Sequence, residues 1–175
     1  MNKFITLTLI FAFSITASLQ AQTKKGDKVP GYIIDKSGKK IDGSITISDW
    51  ADSQIKVKFY KKGSSQKVIY KPNQIKGYAY EQTLVDCTRK KIKEWVEYDT
   101  RKADRPSRAF GPTTVLMHKE VTSGHYKLYC FYVEVRNDVK NPYTYSFFIE
   151  DDKGNFSKVD EENFSSQAKK IIQGI

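Results

Sequence analysis

The chain has 175 residues, with 30 Lys and Arg against 20 Asp and Glu, a net charge of +10. That length fits one ordinary domain able to bury most of its own core. With two histidines and two cysteines it is poor in ligands for a zinc centre, which needs three or four converging at about 2 Å.

Lys3 precedes an apolar run, Phe4 to Ile15, broken only by Thr6, Thr8 and Ser14, and Ala17 to Gln22 then turns small and polar. This is the layout of a secretory signal peptide over residues 1–21, with cleavage expected after Ala21. The run is shorter than the about 20 residues a membrane span needs, so no transmembrane span is expected after cleavage. The first cysteine, Cys87, is far from the cleavage site, which excludes a lipoprotein anchor there. The expected location is therefore periplasmic or secreted. Export permits a Cys87–Cys130 disulfide, which would contribute about 4 kcal/mol in the chain-entropy view. The alternative is two buried thiols packed as small apolar groups.

Without residues 1–21 the charge is +9, because Lys3 is the only charged residue removed. Residues 22–113 hold 21 basic and 11 acidic residues, and residues 114–175 hold 8 and 9. A basic front half attracts anionic surfaces within about a Debye length.

Residues 22–29 read as a flexible lead-in and 30–175 as one β-rich domain, with a weak seam near 82–86. Gly31–Ile34 starts a strand, Asp35-Lys36-Ser37-Gly38 is turn chemistry, and Lys40–Ser48 resumes. Asp49–Ser53 breaks the pattern, with Trp50 expected to fold back as a core plug. Gln54–Lys61 alternates Ile55, Val57 and Phe59 against Lys56, Lys58 and Tyr60, the period of a half-buried strand. Gln66–Tyr70 returns, and Pro72 forbids a continuing ladder. Ile75–Glu81 follows. Lys90–Thr100 sets Ile92, Glu94, Val96 and Tyr98 against Lys93, Trp95, Glu97 and Asp99, and its β-branched and aromatic content favours strand. Arg101–Thr113 is the longest loop. Thr114–Val135 reads as a hairpin about Ser123-Gly124, in a register that sets Met117 opposite Cys130 and Glu120 opposite Lys127. Tyr143–Ile149 alternates again, and Asp151–Asn155 turns into Phe156–Val159. At the end, Asp160 can cap a helix in which Phe164, Ala168, Ile171 and Ile172 recur at helical spacing, before Gly174. The expected fold is mainly β: an antiparallel sandwich or partly open barrel of about eight to ten strands, with one C-terminal helix.

The stretch GYIIDKSGKKIDGSITISDW, followed by YKPNQIKGYAY, resembles a family of exported Bacteroidetes proteins. The pattern is GY-I/V, a glycine turn, I-x-G-x-I, an aromatic, and later Y-x-P-x-x-I-K-G-aromatic. VTSGHYKLYCFY and YSFFIEDDKGNFSKV look like that family's later hairpin. The resemblance implies an envelope location and a β-rich domain, and brings no catalytic residues.

No motif supplies catalysis. His118 and His125 lack a third metal ligand, and neither a nucleophile elbow nor a phosphate-cradling loop is present. The acidic clusters Glu150–Asp152 and Asp160–Glu162 suit a turn and a helix start better than a glycosidase pair. The expectation is a non-enzymatic protein with no catalytic, metal or cofactor residues, acting by binding or structural association. Two rival readings are a carrier of an apolar or amphipathic ligand in a β cavity, and a hydrolase using the acidic clusters or a Cys–His pair. Basic residues interleaved with Tyr60, Tyr70, Tyr78 and Tyr80 recur along the front half. Lys56, Lys58, Lys61, Lys62, Arg101, Arg105 and Arg108 are the candidate anion-binding residues. For an exported chain the expected partner is an anionic envelope surface or glycan, not nucleic acid. The rival is a solvated face whose lysines discourage edge pairing.

Overall fold

The computed structural model describes residues 22–85, 88–103, 113–123, 126–134 and 143–159. They form ten strands: β1 (Lys28–Asp35), β2 (Lys40–Thr46), β3 (Val57–Lys61), β4 (Lys67–Tyr70), β5 (Ile75–Val85), β6 (Lys91–Ala103), β7 (Thr113–Ser123), β8 (Tyr126–Glu134), β9 (Tyr143–Asp151) and β10 (Phe156–Val159). All pair antiparallel in one sheet, ordered β10-β9-β8-β7-β6-β5-β1-β2-β3-β4 and not closed into a barrel. The strand class and number match the sequence reading, and of the two expected architectures the single open sheet excludes the two-sheet sandwich. The expected C-terminal helix lies outside the described residues.

Chain length forces this sheet to curl. β4 and β5 are separated in the sheet by β1, β2 and β3. On a flat sheet the four spacings would total about 19 Å. The link from Tyr70 to Ile75 reaches at most about 17 Å when extended, and a 3-10 turn at Pro72–Gln74 shortens it further. The front of the sheet must therefore roll until β4 approaches the start of β5. Two glycines permit the tight interior. Gly31 and Gly43 face each other across β1 and β2. A Cβ on Gly43 would come 2.1 Å from the Tyr60 carbonyl and 2.6 Å from the Phe59 ring. The Thr100 hydroxyl fastens the returning turn to β6, donating to the Ile75 carbonyl at 2.8 Å with the Pro72 carbonyl 3.2 Å away.

Directly opposed residues share a face, so the register separates the two sides. The concave side carries Ile33, Ile45, Phe59, Tyr78, Tyr80, Val96, Tyr98 and Leu116, one continuous buried cluster. Tyr78 and Tyr98 stack there with centroids 4.6 Å apart and planes 3° from parallel. The opposite side carries a second cluster, Val115, Met117, Tyr129, Phe131 and Phe148, with Phe156 against it.

Three local readings are corrected. The break at Asp49–Ser53 is a short helix, α1 (Trp50–Ile55), which takes in the start of the strand expected from Gln54. The Asp49 carboxylate caps it by accepting from the Asp52 amide at 2.8 Å, and Lys56 pairs with Asp52 at 3.0 Å across one turn. This local bonding overrides the period of two at Ile55, which is exposed. Trp50 is not a core plug: it is 45% exposed, and the buried residues of α1 are Ser53 and Gln54. The helix lies across β7 and β8, and the Tyr78 hydroxyl donates to the Ser53 carbonyl at 2.9 Å. Third, the β7–β8 register differs from the expected one. Val121 pairs with Leu128, an irregularity falls at Glu120, and His118 pairs with Cys130. Met117 and Cys130 thereby take opposite faces, as a one-residue slip requires.

The 22–29 stretch is tied to the sheet. Thr23 and Thr83 exchange two hydrogen bonds, of 3.1 and 2.7 Å, and Gly26 and Asp27 bond Ile47 at 2.9 Å each. β1 begins within this stretch, at Lys28.

Candidate functional site

The convex side of β1–β4 is built from the even-numbered residues of β1, β2 and β3. Two rows cross it: Lys28–Thr46–Lys58–Ile69 and Pro30–Ser44–Tyr60–Lys67. Tyr32 pairs with Asp42, and Ile34 with Lys40, beside them. This surface therefore holds four lysines and one carboxylate. Lys28 stands over the Tyr60 ring at 3.5 Å, and Lys40 over the Tyr32 ring at 4.1 Å, contacts worth about 0.5–1 kcal/mol each at exposed sites. Lys40 also reaches Asp42 at 3.6 Å. Lys28, Lys58 and Lys67 have no carboxylate partner among the described residues.

The same convex face continues through β5 to β6. Tyr32 pairs with Ala79, Ala79 with Glu97, and Glu81 with Trp95. The Tyr32 and Trp95 rings meet at 5.6 Å and 41°, and Trp95 is 50% exposed. Lys93 and Glu81 pair at 2.7 Å beside them, and Lys119 bonds Glu97 further along. Burial and the neighbouring Glu97 push the Tyr32 hydroxyl pKa above its ordinary value, so it stays protonated at neutral pH.

The predicted anion-binding residues do not form one patch. Lys58 lies on the convex face. Lys56 ends α1 and is paired with Asp52. Lys61 is opposite Gly43 and so has the other parity, at the exposed end of β3, and Lys62 follows in the turn. Arg105 and Arg108 lie outside the described residues. Of the four tyrosines read as interleaved with the lysines, Tyr78 and Tyr80 are core residues, because the β5 register turns them inward.

Arg101 is drawn into a network on the second core. Its Nη2 donates to Glu150 Oε2 and to the Tyr129 hydroxyl, both at 2.7 Å. That hydroxyl lies 2.9 Å from both Asp99 Oδ2 and Glu150 Oε2. It has one proton for the two carboxylates. Lys127 reaches Glu150 at 3.2 Å. The guanidinium carbon lies 4.9 Å from the Tyr129 ring centre and 5.8 Å from that of Phe156. Two cations face two carboxylates, so Arg101 is committed within the protein. Burial acts to raise the Glu150 pKa, but the Tyr129 hydrogen bond, Arg101 and Lys127 outweigh it and hold the carboxyl below its usual range. Burial first, and then Asp99, push the Tyr129 hydroxyl far up.

Asp151 closes the β9–β10 turn, accepting from the Lys153 and Asn155 amides at 3.0 and 2.8 Å. Asp160–Glu162, His125 and Cys87 lie outside the described residues, and the Cys87–Cys130 pairing lies outside them with Cys87. Cys130 is buried, opposite His118 in the register, and His118 Nδ1 lies 3.0 Å from Glu120. Among the described residues no group of three or more His, Cys, Asp or Glu is placed to hold a metal ion. No described helix is long and apolar enough to cross a membrane.

Sequence reasoning passed over the Tyr32–Trp95 pair. Its signal was the tryptophan itself, which alternation set on the charged side of β6 with Lys93, Glu97 and Asp99. Comparison with known protein families, curated proteins and solved structures finds no match to this chain.

Proposed function

We propose that this is an exported, non-enzymatic envelope or secreted protein that acts by associating with an anionic surface or glycan through the convex face of β1–β4. One observation carries the reading: four lysines and one carboxylate share that face, and Lys28, Lys58 and Lys67 have no acidic partner there. Cations on a sheet face without acidic partners remain available to external anions, and their attraction is screened by salt. The layout of residues 1–21 supports export. So does the resemblance of Gly31–Tyr80 to exported Bacteroidetes proteins.

The test is retention on dextran sulfate, and on vesicles containing phosphatidylglycerol, at low and high salt. Binding to at least one of them that weakens at high salt, and that falls in a Lys58→Glu/Lys67→Glu variant, is expected. Absent or salt-insensitive binding would overturn the proposal. Lys67 is exposed and Lys58 half-buried on the convex face, outside both cores, and an unchanged urea midpoint checks that the charge reversal leaves the fold intact.

A further inference from the structure

We infer that the anionic partner is an acidic polysaccharide, which lies across the strands with a sugar ring on Trp95, beside Tyr32, and its charged groups on the lysines of β2–β4. The inference rests on the proposed function and gives it a ligand class. Trp95 exposes half its surface on a sheet face otherwise lined by charges, although a large aromatic there gains nothing from solvation. It meets the Tyr32 ring over β5, where Trp95 pairs with Glu81 and Tyr32 pairs with Ala79, whose small side chain is itself buried. The exposed Trp95 ring is thus the open part of a shallow aromatic platform: Lys40 stands over the Tyr32 ring, and the Glu81–Lys93 pair lies beside Trp95.

Such a platform suits a pyranose. Its axial C–H groups form an apolar face that meets the negative face of an aromatic ring, and its equatorial hydroxyls reach donors and acceptors at the edge. The unpaired Lys58 is four strands from Trp95 across β5, β1 and β2. Followed along the convex surface, that is at least about 19 Å at ordinary strand spacing. One lipid headgroup does not bridge that distance, whereas an extended chain with repeated carboxylates does. A single tilted aromatic pair also differs from the succession of stacking rings that tracks a single-stranded nucleic acid.

The experiment is calorimetric titration of the residue 22–175 chain with oligo-alginate, inorganic polyphosphate, an oligo-dT strand and phosphatidylglycerol vesicles. Alginate is expected to bind more tightly than polyphosphate. Trp95→Ala is expected to weaken alginate binding about tenfold, as loss of one stacking contact would, and to leave polyphosphate unchanged. Trp95→Tyr, which keeps a ring, should retain most of the alginate affinity and covers the case in which the alanine variant folds poorly. Equal binding of alginate and polyphosphate, indifferent to Trp95, would remove the sugar platform and leave the basic-face reading standing. Preference for oligo-dT or for vesicles would replace the polysaccharide with another partner. Failure of all four ligands would overturn both readings.

Discussion

Leu116 and Met117 are consecutive residues of β7, both fully buried, and they belong to different cores. Leu116 joins the concave cluster of β1–β6, while Met117, with Val115, joins the cluster of β8–β10. β7 is thus a wall shared by two cores, and the sheet changes its buried side as it passes through this strand. This explains how one open sheet of ten strands buries apolar surface at both ends. The rolled front closes over its own interior, and the back packs its other face.

Truncating these neighbours should loosen different halves of the molecule. Leu116→Ala and Met117→Ala are each expected to cost about 2–5 kcal/mol, the range for large-to-small changes at fully buried sites. Hydrogen exchange should separate them. Amides of β1–β3 should gain exchange in the Leu116 variant, and amides of β8–β10 in the Met117 variant. Identical exchange patterns would refute a shared wall.

Gly43→Ala tests the curl. The added carbon would meet the Tyr60 carbonyl at 2.1 Å, and that oxygen belongs to the neighbouring strand, so relief requires β2 and β3 to part. A loss of about 3 kcal/mol is expected, at the upper end for overpacking, read as a lower urea midpoint. A near-neutral substitution would mean that the sheet opens without cost at this corner.

Much of this fold was legible because alternation is a local signal. Val57 and Phe59, and Val96 and Tyr98, point inward as their spacing indicates. The uninterrupted Val115-Leu116-Met117 run also marks a strand buried on both faces. The curl was legible only as one of two alternatives, the partly open barrel, because the strand order that makes the Tyr70–Ile75 link too short for a flat sheet, and the meeting of Gly31 with Gly43, are set between strands. The Arg101–Glu150 pair was not legible, because its partners lie 49 residues apart. The Trp50 and Ile55 readings failed where one capping aspartate outweighed a periodic pattern.

That cap gives a further test. Asp49 accepts from the Asp52 amide and from Lys25 Nζ, the latter at 2.7 Å, and these bonds, led by the one from Lys25, hold its carboxyl below the ordinary range. Asp49→Ala is expected to cost about 1 kcal/mol, and Asp49→Asn, which keeps an acceptor, less. The readout is the urea midpoint, with faster exchange at the Ser53 and Lys56 amides as α1 frays. An alanine variant as stable as the parent would show that α1 is held by its packing alone.

Glu150 supplies the acid-sensitive interaction of the second core. Its pKa is below the ordinary value of 4.5 in the folded state, since Tyr129, Arg101 and Lys127 together overcome burial. A depressed carboxylate pKa means that the unfolded state takes up the proton more readily. The stabilisation is therefore complete above about pH 4.5 and is lost as pH falls through the lower folded value. Asp35, Asp49 and Asp151 are shifted in the same direction, so the parent protein alone cannot isolate the effect, and the comparison must be with Glu150→Gln. Urea unfolding across the acid range should show the parent losing its advantage over that variant as pH drops, with the two curves converging. Arg101→Met should be the more damaging change, costing about 3 kcal/mol or more at neutral pH, because it leaves Asp99 and Glu150 around one hydroxyl without their nearest cation. Curves for the parent and Glu150→Gln that stay parallel through the acid range would show that this network contributes nothing to the pH dependence of folding.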